Sequence, residues 1–209
     1  MATESRYDDP CGIARAMGVI GDRWAVLVVR ELMFGARRFA QLRAGLPGIS
    51  PNVLSQRLRE LEAAGVVCRT MLDSVNVTVY ALTERGRALE PVLIELGRWG
   101  RHEQVTSAND LGVSALMFAL KTVFDPTAAR DAVYGVRVGG ETFTVTIAGA
   151  RIDLARGVEP AADVTFDTDS ATLRSFAFGR SSLRDAEAAG LRVSGDRRLA
   201  TRFGLLFRP

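Results

Sequence analysis

The sequence predicts an α+β protein of two domains, and three observations support this fold class. Between Arg37 and Leu82, two short helical patterns joined by a Pro-Gly turn precede two β-rich runs, the order of a winged helix-turn-helix. The polar run Gln104–Asp110 is typical of a linker. Beyond it, threonines alternate with apolar residues next to Gly139-Gly140, which indicates a hairpin. We therefore expect a winged helix-turn-helix domain at residues 1–106, followed at 107–209 by a smaller α/β sandwich of an antiparallel-rich sheet covered by helices.

The second helix of the predicted helix-turn-helix covers Ser50 to Ala64. Ser50 is suited to be its N-cap, Pro51 to occupy its first position, and Gly65 to end it in a left-handed conformation. Leucines recur at i, i+4 and i+7, which places them on one face of the helix: Leu54, Leu58 and Leu61. This face is predicted to pack against the preceding helices.

The opposite face of the same helix is polar. At about 100° per residue, its members cluster away from the leucines. They are Asn52, Ser55, Gln56 and Arg59. Amides can pair with adenine and a guanidinium with guanine, and an α-helix fits the major groove. An ordinary solvated helix face is the alternative, but such faces usually carry Glu and Lys. We therefore predict that this helix reads double-stranded DNA.

Positive charge is concentrated around this helix. Residues 30–70 contain seven arginines and three glutamates, whereas the formal net charge of the whole chain is only +3. Such a surface suits phosphate contacts, which supply affinity that does not depend on base sequence. Arg37, Arg38 and Ser50 are the predicted phosphate-binding residues, although both arginines could instead cap and solvate a turn.

Two long segments resemble a known family. They read CGIARAMGVIGDRWAVLVVRELMFGARRFAQLRAGLPGISPNVLSQRLRELEAAGVV and YALTERGRALEPVLIELGRWG. This series is similar to the HxlR family of bacterial winged-helix transcription regulators. The resemblance implies a homodimer that binds DNA, with Ser50–Ala64 as recognition helix and dimer contacts from the flanking helices. The segment Asp73–Tyr80 departs from the family, because Val77 stands near the position of an expected arginine, so no wing contact with DNA is implied.

The N-terminal cysteine provides an alternative mode of regulation. Some members of the family use this residue to sense oxidants or electrophiles, so a regulator acting through Cys11, with the C-terminal domain serving only assembly, is a second hypothesis. Asp8 and Asp9 would oppose the thiolate that this chemistry needs. We favour a structural role for Cys11 near a dimer interface, and a core position for Cys68. Two cysteines predict neither a disulfide framework nor a zinc site.

Two amphipathic helices are predicted to form the homodimer interface. One starts near Thr83 and has an apolar stripe that is too long for a small core. Its residues are Ala88, Leu89, Val92, Leu93, Leu96 and Trp99. The other is the opening helix, with Ile13, Ala16, Met17 and Ile20. A two-fold dimer predicts an inverted-repeat operator.

The second domain is predicted to start with an amphipathic helix from Leu111 to Phe124. Four strands are expected to follow as an antiparallel meander: Tyr134–Val138, Glu141–Ala148, Ile152–Leu154 and Val164–Phe166. The chain then returns to helices at Ser170–Phe178 and Leu183–Ala189, a short strand at 191–193, and a last helix at Asp196–Phe207. Helices are expected to cover one face of the sheet.

This order of elements, with DVTFDTDSATLRSFAFG and GLRVSGDRRLATRFGLLF, resembles the sterol carrier protein type 2 fold. The resemblance implies a small apolar ligand between sheet and helices, and hence a ligand-sensing domain. The residues implied to line the cavity are Phe143, Val145, Ile147, Phe166, Phe176, Phe178, Leu199, Phe203, Leu206 and Phe207. The alternative is that these side chains fill a core, as apolar residues at such spacing usually do.

Catalysis is not expected. The single histidine, His102, has no nucleophile paired with it in the pattern, and phosphate-loop, HExxH and CxxC motifs are absent from the sequence. We therefore predict no cofactor and no metal. The start of the chain does not read as a signal peptide, and no apolar run approaches bilayer length, so a cytoplasmic protein without a membrane partner is expected. A lipid-carrier or enzyme-associated protein is the remaining alternative.

Overall fold

The computed structural model describes residues 9–72, 77–103, 111–157 and 161–207. The chain divides into two compact units, Met1–Leu93 and Ile94–Pro209. The predicted domain boundary between 106 and 107, the predicted linker and the tip of the predicted wing lie outside the described residues. None of the described helices combines the length and apolarity that crossing a bilayer requires.

The first unit is a helix-turn-helix followed by a β-hairpin. Its elements are α1 (Gly12–Ile20), α2 (Arg23–Leu32), α3 (Phe39–Gly45), α4 (Pro51–Ala63), β1 (Val67–Leu72), β2 (Val77–Leu82) and α5 (Glu84–Arg87). The next helix, α6 (Glu90–Gly100), begins in this unit and ends in the second. Strands β1 and β2 pair antiparallel, and a bridge between Arg37 and Tyr80 joins the turn before α3 to β2.

The core of the first unit forms where α2 and α4 pack together. Leu54, Leu58 and Leu61 are at most 2% exposed, and Val28 and Val29 of α2 are fully buried. Complete burial of such a side chain stabilises the fold by roughly 1.5–3 kcal/mol. The leucine stripe therefore fixes which face of α4 points to solvent.

The second unit is a mixed sheet with helices. After α7 (Val113–Thr122) and a 3₁₀ turn (Pro126–Ala128), its elements are β3 (Ala132–Val138), β4 (Glu141–Ala148), β5 (Arg151–Arg156), β6 (Val164–Thr168), α8 (Ser170–Ala177), α9 (Leu183–Ala188), β7 (Arg192–Gly195) and α10 (Arg197–Phe203). The strand order is β5-β4-β3-β6-β7. Three of the four neighbouring pairs are antiparallel, so the predicted antiparallel-rich sheet is present.

The prediction of an antiparallel meander is wrong at β6. This strand pairs with β3, in parallel, and not with β5. The arrangement makes β3 a central strand with its backbone hydrogen-bonded on both sides, and β3 carries the fully buried Tyr134 and Val136. A buried strand needs a neighbouring strand on each side, because its backbone groups must be hydrogen-bonded. The order of strands along the sequence does not specify which strand pairs with the second side of β3.

Aromatic rings fill the space between this sheet and its helices. Phe203 of α10 lies at the centre, with its ring centroid 4.8 Å from that of Phe166 and 5.0 Å from those of Tyr134 and Phe207. Phe176 of α8 stands edge-on to Phe166 at 5.9 Å. These separations are those of directly packed rings.

Candidate nucleic-acid interface

Helix α4 is held at both ends as the sequence predicts. The hydroxyl of Ser50 accepts a hydrogen bond from the Val53 amide at 3.3 Å, and Pro51 occupies the first turn. Gly65 ends the helix with φ +68°, a conformation that costs glycine little. Local capping and leucine burial together determine the bounds and the orientation of α4.

The polar face of α4 points to solvent. Asn52, Gln56 and Arg59 are exposed and Ser55 is half-buried. The Arg59 guanidinium donates to Oε1 of Gln56 at 2.7 Å, and the Gln56 amide nitrogen donates to Oε1 of Glu60 at 2.7 Å. Each of these side chains uses only part of its hydrogen-bonding capacity in these bonds, so donors and acceptors remain for contacts with base edges.

Arg57 is an orienting residue that the sequence analysis missed. Its Nη1 lies 2.7 Å from Oε2 of Glu60 and 3.5 Å from Oδ2 of Asp22. Asp22 also caps α2 by accepting from the Trp24 amide at 2.8 Å. The ion pair between Arg57 and Asp22 thus connects the middle of α4 to the start of α2. The i,i+3 spacing of Arg57 and Glu60 was a visible signal, whereas the partner in α2 was not.

The structure does not bring Arg37 to the surface, contrary to the prediction that it contacts phosphate. Its side chain is 5% exposed, Nη1 donates to the Gln41 carbonyl at 3.2 Å, and the same nitrogen lies 3.9 Å from Oε2 of Glu31. Burial lowers the pKa of the guanidinium, and the negative charge of Glu31 acts in the opposite direction. Its amide and carbonyl both pair with Tyr80. Arg37 therefore stabilises the junction between the helices and the wing strands.

Arg38 and Ser50, the other two predicted phosphate-binding residues, are exposed. The Arg38 amide donates to Oε1 of Gln41 at 2.8 Å, which orders the first turn of α3 and leaves the guanidinium directed outward. Ser50 uses its hydroxyl as the helix cap but lies at the positive end of the α4 dipole, where backbone amides attract anions. Both positions remain suited to the DNA backbone.

Glu31 is a second residue whose role the sequence did not reveal. The carboxylate is 1% exposed and accepts from Arg30 at 2.9 Å. A Cβ atom on Gly45 would lie 2.4 Å from Oε2 of Glu31, so the end of α3 packs directly against this carboxylate, and a side chain at position 45 would displace it. This contact positions α3 against α2, directly before the turn that leads into α4.

The two helices that were predicted to form the dimer interface present apolar side chains to solvent. On α1, Ile13 is 74% and Met17 40% exposed, whereas Ile20 is buried. On α6, three residues spaced i, i+4 and i+7 are exposed, with values from 49% to 69%, and Leu93 is buried. These exposed residues are Val92, Leu96 and Trp99.

Cys11 is exposed to solvent, and Cys68 lies in strand β1 of the hairpin. Cys11 is exposed at the N-cap position of α1, its amide donates to Oδ1 of Asp9 at 2.8 Å, and its side chain does not cap the helix. Cys68 is half-buried and its thiol donates to the Ala81 carbonyl at 3.6 Å. His102 is exposed beside Arg101. Among the described residues, no group of three His, Cys, Asp or Glu side chains is arranged to hold a metal.

The residues implied to line an apolar cavity form the interior of the second unit. Phe143, Val145, Ile147, Phe166, Phe176, Phe203, Leu206 and Phe207 are at most 2% exposed, and Phe178 and Leu199 are half-buried. Because the rings of Phe166, Phe176 and Phe203 pack against one another, an apolar ligand would have to displace them. This arrangement fits the alternative of a filled core.

Known proteins are similar to the first half of this chain. The model of the HxlR-like helix-turn-helix family matches residues 19–107. The chain is 42% identical to the HTH-type transcriptional regulator YvaP of Bacillus subtilis (strain 168) over 86 residues, which cover 41% of this chain and 80% of YvaP. It is 44% identical over 91 residues to YkvN of the same organism, covering 43% of this chain and 77% of YkvN.

Among solved structures, the redox regulator HypR in its oxidized form is similar at 34% identity with a TM-score of 0.43, covering 46% of this chain and all of that one. The matches to YvaP and YkvN cover most of those regulators. The residues that the family model matches include the capped, leucine-packed α4. The chain belongs to the HxlR-like helix-turn-helix family.

Proposed function

We propose that this protein is a homodimeric transcription regulator that inserts α4 into the major groove of double-stranded DNA. Asn52, Ser55, Gln56 and Arg59 read base edges in this proposal, while Arg38 and Ser50 hold the phosphate backbone. The observation that carries it is the outward polar face of α4, on a helix whose other face is fixed by buried leucines.

The charge around α4 supports DNA as the partner. Arg38, Arg43 and Arg59 are exposed, and Arg30, Arg37 and Arg57 are used within the protein to pair with Glu31, Glu60 and Asp22. The exposed arginines supply phosphate contacts, so the affinity for any duplex is expected to fall steeply with salt. The specific part of the affinity comes from the α4 side chains.

A second copy of the chain is the proposed partner of the apolar faces of α1 and α6. Exposed residues such as Ile13 and Trp99 would otherwise remain in water. A two-fold dimer presents two copies of α4, so the operator is expected to be an inverted repeat with half-sites about one helical turn apart, or a multiple of that spacing.

The proposal is tested by fluorescence anisotropy with duplexes from the protein's own gene neighbourhood, at several salt concentrations. One duplex should bind at least about a thousandfold more tightly than a scrambled duplex of equal length. Equal affinity for all duplexes, with the full salt dependence retained, would reject base reading by α4. Absence of binding at low salt would reject DNA as the partner.

A separate proposal concerns the second unit. Its resemblance to the sterol carrier protein type 2 fold suggests that it responds to a small apolar ligand. The alternative is a filled core. The aromatic rings already pack against one another in the interior, so the sequence pattern can be explained without a site for an apolar effector. A thermal shift with palmitate distinguishes the two: stabilisation of the full chain supports a lipid-responsive unit, and no shift at saturating palmitate leaves the rings as core.

A further inference from the structure

A cleft of about 340 Å³ lies in the first unit, between α1 and the segment Arg85–Leu89. Its size is within the range of small-molecule sites, about 300–1,000 Å³. Its lining residues are Gly12, Arg15, Ala16, Val19, Ile20, Val66, Arg85 and Leu89. The cleft is separate from the exposed face of α4.

The helical periodicity of α1 explains why these side chains share one wall. The five α1 residues recur at i, i+3, i+4, i+7 and i+8, which is a single face. Arg85 and Leu89 stand one turn apart on the opposite side. Ile20 and Val66 are 5% and 2% exposed, so they form an apolar floor that is present without a ligand.

Two arginines give this apolar cleft a positive charge. Arg15 and Arg85 are exposed, and within the described part of the chain neither side chain makes a hydrogen bond or an ion pair. The described lining residues include no acidic side chain. Gly12 adds the positive end of α1, which carries no side-chain cap. Guanidinium groups that have no partner among the described residues, above an apolar floor, suit a carboxylate attached to an apolar body.

We propose that this cleft binds a small monocarboxylate with an aromatic or aliphatic body. The carboxylate lies between Arg15 and Arg85, where charge-assisted hydrogen bonds are available. The apolar body packs on Val19, Ile20 and Leu89. A neutral analogue of the same shape keeps the apolar contacts and loses the charge-assisted bonds, so it is expected to bind more weakly.

The position of Val66 connects the cleft to the recognition helix. Val66 follows Gly65 at the end of α4, and its carbonyl accepts from the amide of Thr83 at 3.0 Å and from the hydroxyl of Thr83 at 3.2 Å. A ligand that contacts both Val66 and α1 touches the end of α4 and a helix of the proposed dimer interface. It would shift DNA affinity by the difference between its affinities for the two dimer arrangements. This regulatory effect rests on the proposed function, whereas binding itself does not.

The experiment is calorimetric titration of the full chain, without DNA, with two acids and their primary amides. The pairs are benzoate with benzamide and octanoate with octanamide. At least one acid is expected to bind, and its amide to bind at least about tenfold more weakly. Failure of both acids to bind at millimolar concentration, or equal binding of acid and amide, overturns the proposal.

Variants locate the site. Arg15→Gln and Arg85→Gln should each weaken binding of the acid by about tenfold, because each removes one charged donor. Val19→Trp, at a lining residue that is not assigned to the dimer interface, fills the cleft and should abolish binding. The matched control is Arg151→Gln, which removes an exposed arginine of β5 and should leave affinity unchanged. If the control weakens binding as much as the cleft variants, the effect is general charge and the proposal is overturned. Circular dichroism confirms that each variant is folded.

The two proposals fail independently. A protein that binds the acid through Arg15 and Arg85 but binds no duplex rejects the proposed function and keeps the cleft. A protein that binds its operator but neither acid rejects the cleft and keeps the function.

Discussion

The guanidinium of Arg59 donates a 2.7 Å hydrogen bond to Oε1 of Gln56, one turn earlier on the exposed face of α4. The amide nitrogen of Gln56 in turn donates to Glu60, so the two base-reading candidates are ordered by each other before any DNA is present. Preorganised side chains lose less conformational entropy when they meet a base edge than freely rotating ones do.

Arg59→Ala is expected to weaken operator binding by about 1–3 kcal/mol and to relax the preference at one base pair, because the variant cannot make the proposed bidentate contact with guanine. Anisotropy titrations with the operator and its single-base variants measure both effects. Arg151→Ala, which removes the same charge from exposed β5, is the control. Equal losses on all duplexes would show that Arg59 contacts only the backbone.

Gly45→Ala is expected to destabilise the protein by about 1–3 kcal/mol, because the new methyl would lie 2.4 Å from the buried carboxylate of Glu31. Chemical denaturation measures the change in the free energy of unfolding. Gly100→Ala is the matched control at the end of α6, where a Cβ would meet nothing within 4 Å. A Gly45→Ala protein as stable as the control would mean that Glu31 moves aside without cost.

Features that depend on neighbouring residues could be predicted from the sequence. The ends of α4 follow from Ser50, Pro51 and Gly65, which act within one turn of the helix, and its orientation follows from the leucine period. The paired strands of the wing follow from β-rich runs that are adjacent in the sequence.

Features that depend on distant partners could not be predicted. The number of arginines in the segment does not distinguish Arg37 from Arg38. In the structure, Arg37 is buried beside Glu31 of α2, whereas Arg38 is exposed. Strand spacing likewise does not reveal that β6 joins β3, because hydrophobic alternation records which face is buried and carries no information on strand order.

Leu96→Glu on α6 is expected to convert the protein to a monomer, because Leu96 is 49% exposed on the face assigned to the second copy and a charge there would be buried on association. Operator affinity should fall by about a hundredfold or more, since each half-site is then bound separately. Sedimentation velocity and anisotropy measure the two effects. Leu205→Glu, at a 48% exposed leucine after α10, is the control and should stay wild-type in mass and affinity. A wild-type protein that sediments as a monomer at micromolar concentration would contradict the dimer.

The hydroxyl of Tyr134 is buried and has no hydrogen-bond partner among the described residues. Burial raises the pKa of this phenol to about 12, with the nearby Arg202 lowering it and Asp163 and Asp196 raising it. In the unfolded chain the pKa is about 10. Below pH 10 the phenol is protonated in both states. Between pH 10 and 12 the unfolded state releases a proton that the folded state retains, so stability falls as pH rises.

Tyr134→Phe removes the buried hydroxyl that has no hydrogen-bond partner among the described residues, and it also removes the ionisable phenol. At pH 7 the variant should be as stable as wild type or more stable by up to about 1 kcal/mol, because no hydrogen bond is lost and no hydroxyl is buried unpaired. Between pH 10 and 12 its advantage should grow by about 1.4 kcal/mol per pH unit. Denaturation curves at pH 7, 10 and 11 measure the difference, with Tyr80→Phe at the half-buried Tyr80 as the control. An advantage that stays constant with pH would show that the Tyr134 phenol titrates alike in both states, and a large loss at pH 7 would show that its hydroxyl has a partner in solution.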